Sequence, residues 1–169
     1  MKIVLDSNII IAADWNICHR EIDIHDPKRL SGKPGFTREE RSWLDNLEKE
    51  GFNSDNLLYK YQLMVEDAEL IGDYNTVIFI DACKTDIEAG FKVEQLFPAE
   101  QVTFSTHAVP PNQILNLCET IYNKKPKAYV VKIQGFNWNI KIGLGEKATL
   151  NLNNSFAYFK NKFLIQHFK

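Results

Sequence analysis

The chain lacks any apolar run approaching the ~20 residues of a membrane-spanning helix, and no membrane partner is expected. It also lacks an excess of either charge. Its 20 basic and 22 acidic residues leave a net charge of −2, so no overall field draws nucleic acid or an anionic membrane. Cysteine is scarce: Cys18, Cys83 and Cys118 are odd in number, far apart and in no Cys-x-x-Cys. That argues against a disulfide framework and fits a reduced, cytoplasmic setting. The opening Met1–Lys2–Ile3–Val4–Leu5 is broken by Asp6 and Asn8 and has no signal-peptide layout. Internal repeats and low-complexity tracts are absent as well. What remains is ordinary: 169 residues, 44% hydrophobic and 25% charged. Those values predict one soluble globular domain over residues 1–169 with a substantial core.

Short β-branched runs open the chain at Ile3–Val4–Leu5 and at Ile9–Ile10–Ile11–Ala12–Ala13. Residues 16–36 are polar and hold Pro27, Ser31–Gly32, Pro34 and Gly35, the signature of a long loop. Thr37 with Glu40 forms a capping box for a helix carrying Trp43, Leu44 and Leu47 and ending near Gly51. A short extended piece from Leu57 to Leu63 follows, then a helix from about Val65 to Ile71. Strands are predicted over Thr76–Ile80, Phe91–Phe97 and Ala128–Ile133. The stripe Ile114, Leu115, Leu117, Cys118 and Ile121 predicts a helix from Pro111 to Tyr122. A final helix presents Phe156, Tyr158, Phe159, Phe163 and Leu164. Strands alternating with helices predict a three-layer sandwich, a mostly parallel sheet flanked by helices.

Two residues stand where such a sheet binds ligands, outside the carboxyl ends of its strands. Asp81 ends the strand Thr76–Ile80, and His107 closes Phe104–Ser105–Thr106–His107 before the helix starting near Pro110–Pro111. A carboxylate and an imidazole suit a divalent first-row metal. Each also has a plainer reading, Asp81 as a turn cap and His107 as a helix cap or packed ring.

From about Leu57 to Phe163 the chain resembles the hydrogenase maturation protease family. The resemblance rests on Tyr61–Gln62–Leu63 with Val65–Glu66–Asp67–Ala68, on Val77–Ile78–Phe79–Ile80–Asp81–Ala82, and on Phe104–Ser105–Thr106–His107. Tyr129–Val130–Val131–Lys132–Ile133–Gln134–Gly135 and Gly143–Leu144–Gly145 complete it. It implies a nickel-recognising endopeptidase that trims the C-terminal tail of a hydrogenase large subunit precursor, with Asp81 and His107 as nickel ligands. The family's Gly-x-Gly-Asn is missing after the first strand. Asp14, six residues past Asn8, falls near the family's acidic spacing and is the candidate third ligand.

Residues 9 to about 53 instead resemble an internal piece of exodeoxyribonuclease III-type apurinic endonucleases. That resemblance rests on Ile9–Ile17, His19–Ile24, Pro27–Lys28–Arg29 and Gly35–Leu44. It implies active-site roles for Asp14 and Asn16, without the remaining carboxylates that such chemistry needs. The opening Met1–Asn8 also looks like the start of PIN-domain ribonucleases, with Asp6 as its acid. The chain thus reads as a mosaic: an atypical strand–loop–helix over 1–56 and a protease-like portion over 57–169. A natural fusion, an assembly artefact or an artificially composed sequence would each produce one.

The leading expectation is the nickel-dependent endopeptidase or a degenerate relative. Its rival is a non-catalytic inhibitor- or antitoxin-like module that grips an unknown protein partner through the N-terminal third. A nuclease or nucleic-acid-binding remnant ranks last, because Asp23, Asp26, Glu39 and Glu40 cancel the field of Lys28, Arg29, Lys33, Arg38 and Arg41. Cys18, His19, Asp23 and His25 match no compact zinc spacing. Trp15, Trp43 and Trp138 are expected in or near the core. Cys83 is expected to be an inert thiol, with reactivity as the alternative.

Overall fold

In a computed structural model, the chain is described over residues 9–13, 21, 25–32, 38, 41–42, 45, 49, 57–59, 63–100, 109–138 and 144–163. Five strands form one sheet: β1 (Ile9–Ala13), β2 (Leu57–Tyr59), β3 (Thr76–Cys83), β4 (Phe91–Leu96) and β5 (Lys127–Gln134), in the order β2-β1-β3-β5-β4. β1, β2, β3 and β5 run parallel, and β4 closes the edge antiparallel to β5. The helices α1 (Pro27–Leu30), α2 (Asp67–Gly72), α3 (Pro111–Tyr122) and α4 (Glu146–Tyr158) accompany them. The last passes into a π-helical turn over Phe159–Phe163.

The layers follow from strand alternation. Ala12, Val77, Phe79, Ala128 and Val130 point to one face, where they meet Ala68 and Ile71 of α2 and Ile114, Leu115 and Cys118 of α3. Ile11, Ile78, Tyr129 and Val131 alternate to the other face and are equally buried. There α4 packs on β4 and β5, burying Ser155 and, just past its end, Phe159. Phe91 of β4 meets Tyr158 with ring centroids 5.4 Å apart. Burial on both faces explains why β3 and β5 read as near-continuous apolar runs. The result is the three-layer α/β sandwich that the sequence predicts.

Local chemistry sets the helix ends. Pro111 occupies the first turn of α3, where its missing N–H costs nothing. Asn123 ends that helix in the left-handed region at φ 53°, its N–H reaching the Glu119 carbonyl at 3.1 Å while the Lys124 N–H reaches that of Cys118 at 3.2 Å. Asp67, 2% exposed, accepts the Met64 N–H at 2.8 Å and closes the turn that leads into α2.

Several boundaries differ from the sequence reading. β2 is described over Leu57–Tyr59, and residues 60–62 of the extended piece expected to reach Leu63 lie outside the described residues. β3 runs two residues beyond Asp81, because Asp81, Ala82 and Cys83 keep register with Lys132, Ile133 and Gln134 of β5. Arg38, Arg41, Ser42, Asp45 and Lys49 are helical, inside the span where a helix is expected. Ile3–Leu5, Thr37, Glu40, Trp15 and Trp43 lie outside the described residues.

Candidate functional site

The face covered by α2 and α3 changes character toward the carboxyl end of the sheet. Along β3 it reads Val77, Phe79, Asp81, and along β5 Ala128, Val130, Lys132. Antiparallel β4 places Leu96, Glu94 and Lys92 opposite those β5 positions. On β3 and β5 the first rows are apolar and roofed by helices; the last row, Asp81, Lys132 and Lys92, is polar, and Glu94 joins this strip from the row before, opposite Val130.

Asp81 is exposed as a residue, yet enough protein surrounds its carboxyl group for desolvation to raise its pKa above 3.8, against the lowering pull of a backbone hydrogen bond at Ala82. Among the described residues no ion pair reaches it. Glu94 is the opposite case. Lys132 Nζ stands 2.8 Å from its Oε2 and Lys92 Nζ 2.6 Å from its Oε1. The hydrogen bond from Lys132, then that from Lys92, pulls the Glu94 pKa down to about 2.

Of the candidate site residues Asp81, His107, Asp14 and Asn16, Asp81 is placed; the other three lie outside the described residues. Residues near them in the chain are described. Val109, two residues after His107, donates its N–H to the Leu63 carbonyl at 3.1 Å and packs on the α2/α3 core. Asn116 of α3 donates its side-chain amide to the Ala99 carbonyl at 2.7 Å, and the Ala99 N–H reaches the Asn112 carbonyl at 2.9 Å. Ala13, the residue before Asp14, is the register partner of Ile80 on β3. A single exposed carboxylate without a cationic partner among the described residues fits one oxygen donor to a divalent ion. Among the described residues no three His, Cys, Asp or Glu side chains cluster into a metal set.

Beside the strip, Gln134 fastens the β3–β4 connection. Its side chain accepts the Ile87 N–H at 3.1 Å and donates to Asp86 Oδ1 at 3.0 Å, while its carbonyl accepts from Asn151 of α4 at 3.1 Å. Cys83 is half-buried, its thiol 3.9 Å from the Thr85 carbonyl, rather than sealed in the core. Trp138 is 49% exposed, with the Lys84 ammonium 5.3 Å from its ring centroid, so it is not a core residue. Strand register brings in Lys132, Glu94 and Gln134, which the sequence reading passes over. The available signal is a lysine interrupting the apolar run Tyr129–Val130–Val131–Lys132–Ile133.

No protein-family model matches the chain, and no curated protein does either. Among solved structures, the NiFe hydrogenase maturation protease HycI from Thermococcus kodakarensis KOD1 superposes with a TM-score of 0.50 at 13% identity. The chain has the fold of that protease. The likeness covers 92% of this chain and 93% of that one, and so extends well beyond the Leu57–Phe163 span of the sequence resemblance. The apurinic-endonuclease resemblance finds no support in any of the three comparisons. No helix among the described residues is long and apolar enough to cross a membrane.

Proposed function

We propose that this chain is an endopeptidase of the hydrogenase maturation type, acting on a hydrogenase large subunit precursor that carries nickel. The observation that carries the reading is Asp81, an exposed carboxylate with no cationic partner among the described residues, at the carboxyl end of a central parallel strand. The fold likeness to a maturation protease supports the same reading. Asp81 and His107 would grip the nickel, with Asp14 as the third ligand. Nickel supplies Lewis acidity toward a carbonyl or a water. Asp81 contributes hard oxygen and negative charge, and the pinning of Val109 to Leu63 holds the chain just beyond His107.

The test is thermal unfolding with and without Ni²⁺, on the wild type, Asp81→Ala and His107→Ala. Binding at a hundredfold excess over Kd stabilises a fold by about 2.7 kcal/mol, a rise of roughly 5–10 °C for a domain of this size. Both variants should fold and lose the rise. Nickel-loaded hydrogenase precursor should then be shortened by the wild type alone. A well-folded wild type that shows neither response would retire the metalloprotease reading in favour of a non-catalytic partner-binding protein.

A further inference from the structure

Lys132 has two carboxylates to choose between. Asp81 is its register partner on β3, on a strand ~4.8 Å away and on the same face of the sheet. Glu94 lies diagonally across on β4, opposite Val130. Lys132 goes to Glu94, with Nζ 2.8 Å from Oε2, and no ion pair joins it to Asp81.

A second lysine explains the choice. Lys92 of β4 stands directly opposite Lys132, and like charges facing one another destabilise a strand pair. Glu94 relieves that repulsion by giving one oxygen to each, Oε1 to Lys92 at 2.6 Å and Oε2 to Lys132 at 2.8 Å. Moving Lys132 over to Asp81 would leave its half of Glu94 vacant.

We propose that Glu94 is a positioning residue that holds Lys132 off Asp81 and so keeps the Asp81 carboxylate open to a divalent metal ion. The proposal rests on the reading of Asp81 as a metal ligand. Without the Glu94 charge, Lys92 repels Lys132, and the carboxylate that strand register sets beside Lys132 is Asp81. An ammonium seated there competes with the metal for the same oxygens.

The experiment has two arms. In the first, Ni²⁺ is titrated calorimetrically into the wild type, Glu94→Gln and the double variant Glu94→Gln/Lys132→Met. Glu94→Gln should weaken binding roughly three- to tenfold, the effect of one added positive charge at close range in a solvated site. Removing Lys132 should restore it. A double variant no better than Glu94→Gln would mean that Glu94 acts only through local structure, and the proposal falls. In the second arm, which needs no metal, the coupling between Asp81→Asn and Lys132→Met is measured by urea unfolding in the wild-type and Glu94→Gln backgrounds. The wild type should show almost none. The Glu94→Gln background should show about a two- to fivefold coupling in the unfolding constant. Equal coupling in both backgrounds overturns the proposal whether or not nickel binds. Coupling that appears on schedule in a protein that takes no nickel upholds the restraint on Lys132 and retires the metal reading of Asp81 instead.

Discussion

At Asp81, burial acts on a carboxylate that no described cation offsets, so its folded-state pKa lies above 3.8. The folded protein therefore holds that proton more tightly than the unfolded chain does. Stability from this group is full below 3.8 and is lost as pH rises through the raised value. Asp81→Asn should remove that loss and leave the protein at least as stable at pH 7, while abolishing the Ni²⁺ response; urea midpoints at pH 3.5 and pH 7 check it. Glu94 has the opposite sign. Its pKa falls from 4.5 to about 2, so its contribution is present above pH 4.5 and is lost as pH drops toward 2. Both lysines are about half exposed, at 61% and 46%, and water screens the pairs to ~1 kcal/mol or less. Glu94→Gln should therefore flatten the acid limb of the stability curve below pH 4.5 by no more than that amount. Asp81 is legible in the sequence, because an apolar run that stops at an acid stands out. The Lys132–Glu94 pairing is not, because residues 38 positions apart meet only through the β4–β5 register.

The elements themselves are largely legible. β1 and α3 run over the residues that periodicity and the proline signal predict, Ile9–Ala13 and Pro111–Tyr122. The ends of β3 and β5 are less so, because each is extended by its neighbour's ladder rather than by its own pattern. Gly90 shows what an element junction requires. It lies buried at φ 76° before β4, and a Cβ there would collide with the side-chain amide of Asn151 on α4. Asn151 is itself buried and held by its bond to the Gln134 carbonyl. Gly90→Ala should cost roughly 2–4 kcal/mol, combining left-handed strain with displacement of a packed side chain. The check is the urea midpoint, together with weaker docking of α4 seen as faster amide exchange in that helix.

For the whole molecule, the position of β1 decides how the first third relates to the rest. β1 lies between β2 and β3 and pairs with both, so the segment that looks foreign in sequence supplies an interior strand of the sheet. Ile11→Pro, at a site 2% exposed, would take a backbone donor out of an interior strand, where proline is not tolerated. Loss of cooperative unfolding by circular dichroism would follow if residues 1–56 and 57–169 form one domain; survival of the 57–169 fold would mean that they do not. The sequence by itself determined the α/β class, most of the elements and the presence of Asp81 at the mouth of the sheet. Those properties follow from local periodicity and from short-range proline and capping chemistry. Only the tertiary structure decided that β1 sits in the middle of the sheet, that Lys132 turns to Glu94 rather than Asp81, and that Gly90 must yield its space to Asn151. Each depends on strand order or register between distant segments, and many pairings bury the same apolar faces equally well.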